Sequence, residues 1–197
     1  MLTIERRQNL RDIMGIVWFV IAVIVGAWLI NALVFRSFSV TGPSMESTMY
    51  TGDRLIVNRI PVAISALQGK PFSPSRGHVV VFRNPLFSQM KADEFIVKRV
   101  IGIPGDRVLI AGGHLTVFNA SHPEGIDPYA GLGIAQSSVT GQSDEMVPEG
   151  QVFVVGDNRG GNESLDSRNG LGLIPLDNIV GPVAVRIYPF DKISTNF

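Results

Sequence analysis

The longest uninterrupted apolar stretch of the chain covers residues 13–35 and contains no charged side chain. Its 23 residues exceed the roughly 20 that a helix needs to cross a bilayer core. A cleaved export signal would have an apolar region of only about 7–15 residues, followed by a site with small side chains. Here the run ends in the bulky Leu33, Val34 and Phe35. The pattern therefore predicts a retained transmembrane helix.

Charges on either side of this stretch predict its orientation. Arg6, Arg7 and Arg11 precede it, whereas Arg36 alone follows it closely. An excess of basic residues marks the cytoplasmic side of a span. We therefore expect residues 1–35 to form a cytoplasmic N-terminus and anchor, and residues 36–197 to form an extracytoplasmic domain.

Beyond the anchor, the pattern changes to short runs rich in Val, Ile and Phe, bounded by Gly, Pro, Asn and Asp. Such runs are typical of β-strands. No long segment with helical periodicity follows, so we expect a mostly β fold of antiparallel sheets with one N-terminal transmembrane helix. The predicted strands are 55–57, 78–82, 95–101, 107–110, 115–118, 151–155 and 179–188.

Two stretches resist strand assignment. Residues 60–76 contain three prolines and are predicted to be a loop; the apolar part, 61–67, could rest on the bilayer surface or form a short buried turn or helix. Residues 121–147 are weakly patterned and are predicted to be an accessory, mobile excursion between strands.

Composition excludes several classes of function. Lys plus Arg and Asp plus Glu both number 17, so the net charge is zero, which argues against a nucleic-acid-binding protein. Without cysteine there is no disulfide, thiol nucleophile or cysteine-ligated zinc. The three histidines, His78, His114 and His122, lack metal-ligand spacing. We expect no metal and no cofactor.

Ser44 and Lys98 are the candidate chemical groups. Ser44 lies just after the anchor, within at most about 30 Å of its end even if the link is fully extended, so it should lie near the membrane surface. Lys98 follows the apolar Phe95, Ile96 and Val97. An apolar setting lowers the pKa of an amine and allows it to act as a base for a serine. The alternative is a lysine on an exposed edge strand.

A polar cluster covers residues 156–168 and directly follows the predicted strand 151–155. Its Asp, Asn, Arg and Ser side chains indicate a hydrogen-bonded turn, in which Asp166 and Arg168 could pair as a brace. A solvated loop is the plain alternative. The Gly-Asp-Asn start is similar to calcium-loop chemistry, but the rest of an EF-hand loop is absent.

Four segments in this order, together with the anchor, resemble the sequence boxes of the type I signal peptidase family, also called bacterial leader peptidases, which are Ser-Lys serine proteases. They are residues 44–49, 52–58, 97–106 and 156–168. The resemblance covers the chain from the anchor to about Pro189.

The resemblance implies a role for each matched residue. Ser44 would be the nucleophile, with its backbone N–H in the oxyanion hole, Lys98 the general base, and Ser164 the group that orients the Lys98 amine. Ion pairs that stiffen the site are implied for Arg99, Asp157, Asp166 and Arg168. Shallow pockets for small substrate side chains are implied for Phe38, Val40, Met45, Ile96 and Val97.

The chain departs from the family pattern at three places. Ser47 stands in place of a proline, so the turn loses a φ constraint. Gly42 stands where some members have a serine that completes the oxyanion hole, so another group, such as a backbone N–H, must supply the second donor. Two extra residues between Arg159 and Ser164, and one between Arg168 and Pro175, predict a longer loop in this region.

The resemblance implies a membrane-bound serine endopeptidase that cleaves N-terminal signal peptides from exported preproteins after small-x-small sites. Its partners would be these signal peptides and the lipid bilayer, and it would be a single-pass protein of the bacterial inner membrane. Two alternatives remain. One is a conjugation-type peptidase of the same family with a single dedicated substrate. The other is a catalytically silent, membrane-tethered binding protein.

Overall fold

The computed structural model describes residues 2–88, 93–134, 138–160 and 164–197, with side chains from residue 12 onward except at position 32. The chain begins with helix α1, Leu2–Leu29, which continues into a π-helical turn, Ile30–Val34. Within α1, the stretch Asp12–Leu29 is long and apolar enough to cross a membrane, with a mean hydropathy of 2.3. The predicted apolar helix is confirmed, but its predicted end is not. Phe35 belongs to the first strand, because its backbone pairs with a neighbouring strand.

The rest of the chain forms two antiparallel sheets, which confirms the predicted fold class. The larger sheet has the strand order β1-β2-β11-β3-β4-β9-β10, and the smaller has the order β7-β6-β5-β8. The strands are β1 (Phe35–Ser39), β2 (Arg54–Asn58), β3 (Val79–Arg83), β4 (Phe95–Gly102), β5 (Arg107–Ala111), β6 (His114–Asn119), β7 (His122–Ile126), β8 (Ser143–Met146), β9 (Gln151–Val155), β10 (Ile174–Pro175) and β11 (Ile179–Tyr188).

The central strands are apolar on both faces because both faces are covered. In β3 four consecutive residues are buried, and β9 is buried from its second residue to its last. One face of the sheet packs with the smaller sheet around Phe153, Ile101 and Val117. A second cluster forms around Phe82, Val154 and Ile174. This double burial makes β4 and β9 rigid supports for the groups that follow them.

A third apolar cluster lies beneath the turn that follows β1. Met45 and Met49 are fully buried there and pack with Val40, Leu55 and Val79. Burial of side chains of this size stabilises a fold by about 1.5–3 kcal/mol each. The two methionines therefore hold the turn 42–49 against the sheet.

The structure changes the interpretation of two irregular segments. Residues 60–67 form helix α2, Ile60–Leu67, with Pro61 in its first turn, where a proline costs no hydrogen bond. The predicted loop is wrong over these residues, and the short helix among the alternatives for 61–67 is the structure that forms, although none of its residues is buried. Residues 122–126 and 143–146 are strands β7 and β8 rather than parts of an excursion. They extend the β5–β6 hairpin on both sides, so backbone pairing overrides a weak local pattern.

Candidate active site

Ser44 lies in a tight turn immediately after β1. The turn is closed by backbone hydrogen bonds from Glu46 to Pro43 and from Thr48 to Met45. Gly42 enters it with a φ of +86°, which is a conformation that residues with a Cβ rarely adopt. Ser44 is half-buried, and its backbone N–H donates to none of the described residues.

Lys98 lies on β4, and its Nζ is 2.6 Å from Ser44 Oγ. The amine also donates to the Val97 carbonyl at 3.1 Å. The alternative of an exposed edge lysine is wrong, because β4 is an interior strand and Lys98 is only 3% exposed. The two sequence-predicted groups, 54 positions apart, are thus in direct contact.

Burial changes the chemistry of this amine. Desolvation lowers the pKa of Lys98 from 10.5 to about 8, against the opposing effect of the negative charges of Asp166 and Asp157. Desolvation disfavours the charged form of an amine, whereas nearby carboxylates favour it. A substantial fraction of the amine is therefore neutral near pH 8 and can accept a proton from the serine hydroxyl.

Arg99, the next residue on β4, points to the opposite face and forms a buried ion pair. Its Nε and Nη2 donate to the two carboxylate oxygens of Asp157 at 2.8 and 2.6 Å, and both side chains are fully buried. Its Nη1 donates to the Gly77 carbonyl. Such bidentate pairing fixes both geometry and charge. The pair joins β4 to the segment after β9.

Asp166 is the second buried carboxylate. It accepts from Ser164 Oγ at 2.7 Å, from the Gly156 backbone N–H at 3.1 Å, and from Arg168, whose Nη2 lies 2.7 Å away. The sequence-predicted brace between Asp166 and Arg168 is present in the structure. The predicted contact of Ser164 with the Lys98 amine is not made among the described residues. Ser164 donates its hydroxyl proton to Asp166.

Three contacts that sequence reasoning missed bind the serine turn to the segment 156–158. Thr48 Oγ1 donates to Asp157 Oδ2 at 2.6 Å. The backbone N–H of Asn158 donates to the Ser44 carbonyl at 3.1 Å, and its side chain donates to the Pro43 carbonyl. A Cβ on Gly156 would overlap the Ser44 carbonyl oxygen and lie 2.5 Å from Ser164 Oγ. The sequence shows which residue types these segments contain, but it does not show which of them contact one another.

A groove of about 470 Å³ leads to the Ser44–Lys98 pair. Residues 38–44 form one wall and residues 93–98 the other. Phe38, Val40, Ile96 and Val97, which the resemblance assigned to substrate pockets, lie on these walls. Met45 does not, which corrects that assignment. Its side chain is fully buried in the cluster below the turn.

The end of the groove nearest the anchor is aromatic. The rings of Phe38 and Phe95 lie 5.3 Å apart, and the Arg36 guanidinium sits 4.5 Å from the Phe95 ring centroid. Because Phe38 and Phe95 precede Ser44 and Lys98 on their respective segments, the groove runs from the anchor side to the reactive pair.

Among the described residues, no three His, Asp or Glu side chains converge as a metal site requires; the absence of a metal stays a prediction.

Comparisons with known proteins show the family of this chain. Residues 13–188 match the family model described as signal peptidase, peptidase S26. The chain belongs to that family. It is 33% identical over 190 residues to signal peptidase IB of Staphylococcus aureus, an alignment covering 91% of this chain and 88% of the relative.

The enzyme is therefore a peptidase, and family membership confirms the resemblance seen in the sequence. A second relative, signal peptidase I U of Bacillus subtilis, is 28% identical over 193 residues, which cover 97% of this chain and 95% of that protein. A crystal structure of a signal peptidase I from Enterococcus faecalis aligns with a TM-score of 0.40 and 24% identity, covering 55% of this chain and 95% of the other.

Proposed function

We propose that this membrane-bound peptidase removes N-terminal signal peptides from exported preproteins, with Ser44 as nucleophile and Lys98 as general base. The contact of 2.6 Å between Lys98 Nζ and Ser44 Oγ, made by an amine with a lowered pKa, carries this proposal. Of the two alternatives, a catalytically silent binding protein is disfavoured, because such a protein has no need of a buried, partly neutral lysine against a serine.

The proposed reaction has two halves. Neutral Lys98 takes the proton of Ser44 Oγ as that oxygen attacks the scissile carbonyl carbon. The resulting oxyanion lies beside the backbone N–H of Ser44, which donates to none of the described residues and is a donor suited to stabilise it. The Lys98 ammonium then gives its proton to the leaving amine, and an acyl-enzyme ester remains on Ser44.

The second half consumes one water molecule. Lys98, neutral again, takes a proton from the water while the oxygen attacks the ester carbonyl. The tetrahedral intermediate collapses, Ser44 Oγ regains its proton from Lys98, and the carboxylic acid product leaves. The buried pairs Arg99–Asp157 and Asp166–Arg168 hold the amine and the serine turn in place during both halves.

The groove supports a preference for small side chains close to the cut. Val40, Ile96 and Val97 line the groove near Ser44, and they offer apolar contacts to the substrate side chains beside the cut. We therefore propose cleavage after small-x-small sites. The aromatic end of the groove lies toward the anchor, so a substrate whose apolar segment remains in the bilayer can enter from that side.

We further propose that the groove faces the extracytoplasmic side of the bacterial cytoplasmic membrane. Three arginines before the span and one shortly after it support this orientation. Protease treatment of right-side-out membrane vesicles should digest the β domain. If the domain is protected, the orientation is inverted.

Cleavage of a preprotein by the full chain in detergent tests the activity. We expect a preprotein with an Ala-x-Ala site to be cut after the second Ala, and Ser44→Ala and Lys98→Ala each to abolish cutting with unchanged circular dichroism. Cleavage of several unrelated preproteins excludes a conjugation-type enzyme with one dedicated substrate. Full turnover by either variant would exclude the Ser-Lys mechanism.

A further inference from the structure

Helix α2 presents an apolar face that the protein leaves uncovered. None of its eight residues, Ile60–Leu67, is charged and none is buried. Ile60, Ile64 and Leu67 follow one another at intervals of four and three, which places them on one side of the helix. They are 40%, 49% and 90% exposed. A contiguous exposed group of large aliphatic side chains indicates a surface that contacts something apolar.

The position of α2 next to the anchor indicates what its apolar face contacts. Arg59, just before the helix, donates its backbone N–H to the Val34 carbonyl at 2.8 Å, and Val34 is the last residue of the π-helical turn that ends the anchor. Asn58 pairs with Phe35, the first residue after that turn. Helix α2 therefore starts at the level where the anchor leaves the bilayer.

We propose that α2 lies in the membrane interface, with Ile60, Ile64 and Leu67 inserted into the same bilayer that the anchor spans. Its length of about 12 Å suits a helix lying along the surface rather than crossing it. Interfacial helices bury their apolar face about 5–10 Å into the boundary between headgroups and acyl chains. The lipid around the anchor is continuous with this face, so no other partner is needed to cover it.

A second lipid contact changes what the anchor alone can do. A single transmembrane helix can tilt in the bilayer, and the β domain joined to it tilts with it. With α2 also inserted, the domain has two points of attachment, both at the end of the β1–β2 pair where Asn58 lies opposite Phe35. The opening of the groove at Phe38 and Phe95 is then kept at a set tilt to the membrane.

Fluorescence in vesicles tests this contact without relying on peptidase activity. The natural chain has no cysteine, so Leu67→Cys gives a single site for an environment-sensitive dye on the full-length protein. Met146→Cys is the matched control, since Met146 is 60% exposed on β8 in the smaller sheet. Both proteins are reconstituted in phosphatidylcholine vesicles, with insertion of the anchor established by flotation. A fraction of the lipid carries a nitroxide quencher near the headgroup end of its acyl chain.

We expect the dye at position 67 to emit at shorter wavelength than the dye at 146 and to be quenched by the nitroxide lipid. Adding Ile60→Ser and Ile64→Ser to the labelled Leu67→Cys protein should abolish most of the quenching. Equal, unquenched emission at both positions overturns the proposal. A second result also overturns the proposal: the dye at position 67 emits at short wavelength, is not quenched by the nitroxide lipid, and shifts to longer wavelength when the protein is diluted into more lipid. That result would assign the apolar face of α2 to contact with a second copy of the chain.

Discussion

Thr48 Oγ1 donates a hydrogen bond of 2.6 Å to Asp157 Oδ2, across 109 positions of sequence. The same carboxylate is held by Arg99, which is adjacent to Lys98 on β4. Thr48 therefore connects the serine turn to the strand that carries the lysine. Its hydroxyl thus links the two segments without touching either reactive group.

Replacing Thr48 with Val should lower kcat with little change in KM. The substitution keeps the shape but removes a donor to a buried carboxylate, a loss of about 1–3 kcal/mol, or roughly ten- to hundredfold in rate if it is expressed in the transition state. Steady-state kinetics with a signal-peptide substrate measures the effect. Thr48→Ser should restore most of the rate, and a Val variant with unchanged kcat would contradict this role.

The rate should rise with pH through about 8. Burial lowers the Lys98 pKa to about 8, so below that value most of the amine is protonated and cannot accept the serine proton. We expect kcat/KM to increase about tenfold per pH unit well below 8 and to level off above it. A profile that peaks in acid would point to a different base.

Neutralising Asp166 should move that profile to lower pH. The Asp166 carboxylate raises the pKa of Lys98, so Asp166→Asn removes a charge that stabilises the ammonium and the Lys98 pKa falls further. Asp144→Asn is the matched control, since Asp144 also accepts a bidentate arginine but lies on the exposed strand β8. The midpoint of the kcat/KM profile should shift only in the first variant.

Gly156→Ala should impair catalysis far more than Gly160→Ala. A Cβ at position 156 would overlap the Ser44 carbonyl oxygen, whereas a Cβ at 160 meets nothing within 4 Å. Displacement of a reactive group by about 1 Å can cost roughly hundredfold in rate. Single-turnover cleavage by the two variants measures the difference, and equal rates would show that the serine turn moves without penalty.

Breaking the buried pair of Asp166 and Arg168 should destabilise the fold. Both side chains are fully buried, and removing one partner of such a pair costs about 3–5 kcal/mol. We expect Arg168→Met to lower the thermal unfolding midpoint by roughly 6–20 °C for a chain of this size. Arg107→Met, which breaks the exposed pair with Asp144, should leave the midpoint nearly unchanged. A stable Arg168→Met protein would show that the buried pair is dispensable.

The sequence predicts those strands whose own residues favour them. Runs such as 78–82 and 151–155 are apolar on both faces, and the structure confirms them as the central strands β3 and β9. The sequence does not predict β7, because its Pro123, Glu124 and Gly125 disfavour a strand. That strand forms because the neighbouring β6 offers it backbone partners, and such partners are not visible in a local pattern.

Similar reasoning explains what was missed in the candidate site. Ser44 and Lys98 stand out because each is an unusual residue for its surroundings. The side-chain partners do not, since the direction of Ser164 toward Asp166 and the burial of Met45 depend on how the turn 42–49 packs on the sheet. The sequence order of the boxes indicates which residues converge but leaves their pairwise contacts open.

Strand β1 begins at Phe35, directly after the π-helical turn that ends the anchor, with no unstructured residue between them. The same strand leads into the wall of the groove and on to Ser44. The bilayer and the reactive hydroxyl are thus joined by strand β1 and the short segment 40–43, which together limit how far the hydroxyl can lie from the membrane surface. We expect cut sites to be selected by their distance from the membrane as well as by their side chains.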